Sequence, residues 1–441
     1  MCKDVAAAFR DSKVLLPDSM VLLPSMLLMA ICGQLQAQMR TAPIPETNPA
    51  VLQIITLKGG AGYVLPTAAA AFAIPPNITL RVELGAYIDI AGKTLTMNGA
   101  IEAGMYEVFR GAGTVKVPPT NVKIREVYPQ WFGSIAGDGV DDTESMNRAF
   151  QTCAKSIFIP AGNYTIQPTT RRPVLALGEP VPGALRPCSN QTVTLSKGAV
   201  LQSRPFADGD DPSAATIGVF SVRNVTIQGG RLIGNWKPGG AARPDTIGGQ
   251  HGIHVGSAQN ITVQRMKIEG FYGDGWTVSY IGNLASAPTL DNSKNITFRS
   301  VVSTGNYRNA ASGVGWVGGS VIGGKYANTM GAASPLAGID LEPNVLKVSY
   351  LAHGTTTAKV SDISIIDVEV SGNGGYGIQL ENQETKRISI SGGTIRNNRS
   401  GGVAAVSTLP SAGLTVSSTA FSGNGGPDIS GNIAGQGNSH R

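Results

Sequence analysis

At 441 residues the chain is long for one ordinary domain, yet only 15% of it is charged and 57 residues are glycine, a composition suited to stacked apolar strands joined by tight turns. The formal net charge is +6; the basic residues are scattered rather than clustered, which argues against a nucleic-acid partner, and a mildly basic protein suits an acidic polysaccharide or simply stays soluble. There is no collagen period, low-complexity tract, CxxC, HExxH or zinc-type spacing, and the chain holds only four histidines, so no resident metal or cofactor is expected.

The first element in chain order is apolar. Met20 to Ile31 is followed by Gln34-Leu35-Gln36-Ala37-Gln38, which predicts a secretory signal over residues 1–38, too short for a membrane span. Lys3, Arg10 and Lys13 share the stretch before it with three aspartates, a poor positive leader, so Met20 is the expected start. A buried apolar helix is the alternative, disfavoured by Pro17 and Pro24. The mature chain is then secreted, periplasmic or at the cell surface, with no membrane span. It keeps Cys153 and Cys188, for which a disulfide is open in an oxidising compartment. Without framework spacing they read as two isolated small residues in packed positions.

Residues 39–127 hold strand-like pieces, such as Ile78-Thr79-Leu80-Arg81-Val82 and Thr94-Leu95-Thr96-Met97, divided by Pro75-Pro76-Asn77 and Asn98-Gly99. They predict a small β-rich region that covers the first coil of a solenoid over residues 128–441. At the start of that solenoid stands Tyr128-Pro129-Gln130-Trp131-Phe132-Gly133. Asp141 stands three residues before Glu144 as in a capping box, and Met146, Ala149, Phe150 and Cys153 recur on one helical face. A short amphipathic helix is predicted, then a strand over Ile157-Phe158-Ile159-Pro160 and a turn to Tyr164. Such a helix would block the open strand edges at the end of a sheet stack.

From there to residue 441 a phrase recurs: glycine, apolar, any, apolar. It begins at Gly252, Gly275, Gly313, Gly338, Gly377 and Gly402, with steps of 23, 38, 25, 39 and 25 residues. A second phrase, polar, apolar, Thr or Ser, apolar, comes after most copies, as in Asn224-Val225-Thr226-Ile227 and Asn260-Ile261-Thr262-Val263. Period-2 alternation marks strands, and a unit of roughly two dozen residues marks a solenoid with two short strands per repeat. Asn306, Asn328, Asn373, Asn398 and Asn424 recur after the second strand, where stacked turns build an amide ladder. These features predict an all-β parallel β-helix over 128–441.

The run from Tyr128 to Tyr164 resembles the entry signature of the pectate lyase superfamily, in its rhamnogalacturonase-like, epimerase-like and tailspike-like branch. A second stretch, Asn306-Tyr307-Arg308 through Asn328-Thr329 to Gly338-Ile339-Asp340-Leu341-Glu342-Pro343-Asn344, is similar to a segment common in bacterial exported β-helix proteins. The resemblance implies a right-handed helix. It leaves activity open, because that fold hosts hydrolases, lyases, epimerases and adhesins. The chain lacks the Asn-Thr-Asp, Gly-His-Gly and Arg-Ile-Lys strings of polygalacturonases, the Asp-Pro-His string of mannuronan epimerases and the arginine motifs of pectate lyases. Relatives include homotrimers, but no trimerising coiled coil is present, so monomer and homotrimer both stay open.

Aligning the glycine phrases predicts columns on the outer face. One holds His254, Thr277, Gly315, Asp340, Gln379 and Ala404; the next holds Gly256, Ser279, Val317, Glu342, Glu381 and Val406. Asp340, Glu342 and Glu381 thus gather on two coils, and carboxylates this close push each other's pKa values apart. Hydrolysis of a glycosidic bond needs that division of labour, with Asp340 as base, Glu342 as acid and Glu381 as partner, or the first two reversed. The same residues also read as ordinary exposed polar groups before a Pro343-Asn344 turn, or as a Ca²⁺ site, which a lyase or epimerase acting on uronates would use. Substrate contacts are expected from His254, Gln379, Arg308, as partner to a uronate carboxylate or a loop tether, and Asp274, which also makes an Asp-Gly turn. Trp236, in a loop, is expected to expose its ring for stacking on sugar, while Trp276 and Trp316 are read as core. Three insertions, 236–250, 280–294 and 343–361, would build the cleft. A non-catalytic carbohydrate-binding surface protein is the rival from another class.

Overall fold

The computed structural model describes residues 41–45, 52–65, 70–167, 171–173, 180–182, 184–204, 215–237, 239, 250–281, 291–343, 345–347, 355–381, 384–406, 413–431, 434–436 and 439–440. The expected signal sequence and most of the three insertions lie outside them. The chain divides into two compact units, Met1–Gly113 and Thr114–Arg441.

In the first unit the predicted strands pair parallel. Gln53–Leu57 runs beside Ile78–Val82 and then Ala100–Glu102; Gly62–Val64 runs beside Tyr87–Asp89 and Phe109–Arg110; Ala71–Ile74 runs beside Thr94–Met97. The alternating apolar residues Leu57, Ile74, Leu80, Ile88 and Leu95 are each 0% exposed. This unit therefore winds in parallel coils of its own, which the sequence showed only as strands.

The second unit carries three parallel ladders, so each coil has three strands rather than the expected two. The first sheet stacks Ala215–Phe220, His251–Gly256, Trp276–Ile281, Ala311–Gly313, Ile339–Leu341, Tyr376–Leu380 and Gly401–Ala405. The second includes Gln259–Gln264, Asp291–Arg299, Trp316–Ile322, Val360–Ile366 and Thr385–Ser391. The third includes Lys267–Glu269, Val302–Thr304, Lys325–Ala327, Glu369–Ser371 and Thr394–Arg396. Three-residue strands are too short for alternation to announce them.

Turn chemistry sets the coil. The polar position of the second phrase has positive φ throughout: Asn190 63°, Asn224 57°, Asn260 56°, Asn295 56°, then Gly318 74°, Asp362 61°, Arg387 52° and Gly413 78°. Asn, Asp and Gly tolerate that left-handed conformation best. The asparagine amides also bond along the axis, Asn224 to Asn190 at 2.8 Å, Asn260 to Asn224 at 3.1 Å and Asn295 to Asn260 at 3.2 Å. The ladder expected after the second strand lies inside the coil. Asn373 Nδ2 donates to Asn398 Oδ1 at 2.9 Å, and Asn398 Nδ2 to Asn424 Oδ1 at 3.1 Å. Thr329 occupies the rung expected of Asn328, its N–H donating to Asn373 Oδ1 at 3.3 Å, while Asn328 is exposed at φ 57°.

The phrase glycines pack against this ladder. A methyl on Gly338 would stand 2.4 Å from Val370 Cγ1 and 2.7 Å from the backbone oxygen of Gly377. Gly338→Ala is thus expected to destabilise the protein by about 1–3 kcal/mol, read from urea melts, because backbone cannot yield as a side chain does. An unchanged midpoint would mean the coil spreads freely.

The helix spans Thr143–Phe150 with Asp142 as its N-cap, one residue later than expected. Asp141 Oδ1 instead receives the Thr143 N–H at 2.9 Å, and Asp142 ties two neighbouring segments by accepting from Ile135 N at 3.1 Å and Thr165 N at 3.0 Å. Burial pushes the Asp142 carboxyl up to about 6 against the pull of those donors. Met146, Ala149 and Phe150 are 0% exposed. Cys153 and Cys188 are not isolated but form a disulfide across 35 residues of chain, with Cα atoms 5.3 Å apart. Replacing both by Ser is expected to cost about 3–4 kcal/mol through lost loop closure. Wild type should melt lower under reducing conditions and the double variant should not change.

Candidate functional site

The first sheet fixes the outer column by register. His254 pairs with Thr277, Thr277 with Ser312, Ser312 with Asp340, Asp340 with Gln379, and Gln379 with Ala404. Five of the six expected members hold. Ser312 replaces Gly315, because Ala310 rather than Gly313 fills the glycine place on that coil; Gly313 pairs with Leu341, and Trp316 has already turned into the second sheet. Two residues further along, Glu342 N donates to Gly313 O at 2.9 Å and Glu381 N to Leu341 O at 2.8 Å. Glu342 and Glu381 therefore occupy neighbouring rungs, roughly 4.8 Å apart by backbone.

Although it faces outward from the sheet, the column is covered. Asp340, Asp274, Ser312 and Asn309 are 0% exposed. The cover comes partly from the turn before Ala311–Gly313, where Asn309 Nδ2 donates to Asp340 Oδ2 at 3.2 Å. Arg308, on the same turn, lies 3.5 Å from Asp274 Oδ2, 3.9 Å from Asp340 Oδ2 and 3.5 Å from Glu342 Oε2. Its side chain is 19% exposed and that of Glu342 34%. Asp274 sits below as an anchor, accepting from Asn309 N at 3.1 Å and Ser312 Oγ at 2.6 Å, with His251 Nδ1 3.7 Å away. Sequence reasoning missed Asn309 and Ser312, since small polar residues in turns and strands carry no signature.

These distances set the charges. Burial first, then the negative field of Glu342, holds the Asp340 carboxyl well above the ordinary carboxylate range; Arg308 opposes, and Asp274 and Glu381 add to the rise. Asp340 Oδ1 is buried with no hydrogen-bond partner, and such an unpaired oxygen costs less on a neutral carboxyl than on a carboxylate. Glu342 is also raised, by burial and then by Glu381, against Arg308 and a bond from Asp340. The Arg308 guanidinium is held more firmly charged, chiefly by Asp274.

The expectation of Asp340 as a base on the surface therefore needs correction. It has no solvent contact and stands behind Glu342, while Glu342 and Glu381 are the carboxyls with access to solvent. Gln379, 6% exposed, donates to Glu381 Oε1. His254 is half-buried, its Nε2 bonded to Ser279 Oγ and its ring edge-on to Phe220 at 4.9 Å. Burial brings its pKa down to about 3, so it is neutral. Trp236 is 3% exposed, packed on Tyr307 with ring centroids 5.5 Å apart. It presents no ring to a sugar, because the turn that carries it closes against the next coils. Trp276 and Trp316 are core, at 0%. Among the described residues no group of three or more His, Cys, Asp or Glu is arranged to hold a metal ion, and no helix is long and apolar enough to cross a membrane.

No protein-family model and no curated protein matches the chain. Solved structures do. The A-module of a mannuronan C-5 epimerase from Azotobacter vinelandii is similar at TM-score 0.49 and 17% identity, over 71% of this chain and 76% of that one. A galactohydrolase of a sulfated galactose and anhydrogalactose polymer gives 0.49 and 12%, over 70% and 73%. A surface adhesin of Streptococcus pneumoniae gives 0.41 and 11%, over 69% and 81%. The three parallel ladders of the chain itself make it a parallel β-helix. Its structural neighbours include polysaccharide-acting enzymes as well as an adhesin, and at these identities the likeness carries no inference of activity.

Proposed function

We propose that this β-helix protein binds a polysaccharide along its first sheet and hydrolyses a glycosidic bond by carboxylate acid/base catalysis. Glu342 protonates the leaving oxygen, Glu381 activates water or attacks carbon, and Asp340 holds the proton behind Glu342. The observation that carries this reading is the buried, unpartnered Asp340 Oδ1 beside Glu342, whose own carboxyl is raised and reaches solvent. Carboxyls pushed apart in proton affinity are what such hydrolysis requires. An oxidising, exported setting is supported by the Cys153–Cys188 bond.

The test is mass spectrometry of products from a polysaccharide panel, using wild type and the Glu342→Gln and Glu381→Gln variants. Oligosaccharides bearing the added water, from wild type alone, support hydrolysis here. Products lacking that water and absorbing as unsaturated uronates would replace it with β-elimination. A changed uronate without cleavage would indicate epimerisation. Products from every version would move the chemistry elsewhere on the coil. Binding with no product from any version would make this a carbohydrate-binding surface protein.

A further inference from the structure

The charge of the site differs from that of the chain. Arg308 is the cation whose charge is felt in the cluster, and it faces Asp274, Asp340 and Glu342 at 3.5, 3.9 and 3.5 Å, with Glu381 adding to the same field. One guanidinium thus meets four carboxyl groups. Even with Asp340 protonated, negative groups outnumber it, so a ligand carboxylate or sulfate would have to displace them and would be repelled on approach. The basic residues behind the +6 total, such as Arg223, Arg265 and Lys294, are exposed around the second sheet instead.

Away from the carboxyls the column's own side chains are uncharged, His254, Thr277 and Ser312 on one side, Gln379 and Ala404 on the other; the charge that reaches His254 is Arg186, 8% exposed and seated over the Phe220 ring at 4.9 Å. His254 is the informative one. Ser279 Oγ donates its hydrogen to Tyr280 O at 3.2 Å, so the imidazole hydrogen lies on Nε2, pointing at Ser279, and Nδ1 is a bare acceptor. That Nδ1 is buried and has no partner. It is closed to solvent, so a ligand satisfies it only by displacing its cover and bringing a hydrogen to give, which a hydroxyl has and a carboxylate or sulfate lacks. Gln250, on the turn entering the same strand, is 1% exposed with both amide atoms unpartnered, and sugar hydroxyls, donor and acceptor at once, complement both.

We propose that this face takes a neutral, hydroxyl-presenting glycan, with His254 Nδ1 accepting a sugar hydroxyl upstream of the carboxyls. It replaces the acidic polysaccharide expected from net charge. The proposal borrows the site of the hydrolytic reading but not its chemistry, so the two fail separately: product analysis tests the reaction, and binding tests the ligand.

Binding is measured by calorimetry on the full chain carrying Glu342→Gln, with hexasaccharides of xylose, mannose, galactose and glucose against hexagalacturonate and hexamannuronate, at low and high salt. Removing a negative charge from the cluster biases this protein toward the acidic probes, which makes it a severe test. The expected result is that a neutral hexamer binds most tightly, with little salt dependence, and that adding His254→Ala weakens it about tenfold, the scale of one lost buried hydrogen bond. Tighter binding of either acidic hexamer, or no binding by any neutral one, overturns the proposal. So does neutral binding indifferent to His254→Ala in a protein whose melt is unchanged.

Discussion

Glu342→Gln is expected to slow glycan cleavage by about 10²–10⁴-fold, the range that a positioned proton donor contributes, with little change in the melt. Gln keeps the shape of the side chain and loses only the titrating proton. Because the side chain is 34% exposed, its contact with Arg308 is of the partly solvated kind that contributes little to folding. Wild-type activity carries a linked signature. Glu342 acts only while protonated, and its carboxyl is raised above 4.5 by burial and Glu381. Activity should therefore fall as pH rises through that raised value. A Glu342→Gln protein of undiminished rate, or a rate climbing steadily to alkaline pH, would remove Glu342 as the acid.

Asp340→Asn is expected to make the protein more stable than wild type at neutral pH. In the folded chain the Asp340 carboxyl is held well above its ordinary value, first by burial and then by Glu342. In the unfolded chain it titrates near about 3.9. Between those two values the native state binds a proton that the unfolded state has released. Wild-type stability therefore falls as pH rises, by about 1.4 kcal/mol per pH unit for one proton. Below the unfolded value both states are protonated and the penalty vanishes. Asn carries no titrating proton, and its carbonyl can still accept from Asn309. Urea melts of the two proteins should thus lie close together at about pH 3 and separate as pH rises from the unfolded value through the raised folded one, with the variant above. Parallel curves would mean that Asp340 is ionised in the folded protein.

The strands, the parallel coil and the core indoles Trp276 and Trp316 were legible because alternation and turn residues are local properties. So was the grouping of Asp340, Glu342 and Glu381, since register carries a column faithfully from rung to rung. Reasoning from glycine alone misplaced one coil. Ala310 fills that place, and Gly313 drew the phrase three residues late, putting Gly315 where Ser312 stands. The third strand of each coil escaped notice for want of length. Trp236 was misjudged because a polar loop sequence does not reveal which coil it folds against.

How the chain winds and which residues share a column are written into the sequence, because side-chain period and left-handed turn positions repeat within each coil. Packing between coils settled the rest: that this outward column is buried, that Arg308 stands among four carboxyls, that the Asp340 carboxyl is held well above its ordinary range and that His254 stays neutral. Those outcomes depend on how a turn from one coil covers the strand of the next, and so on distances between residues far apart in the chain. Burial and Coulomb interactions at those distances fix the protonation states, which no spacing in the sequence records.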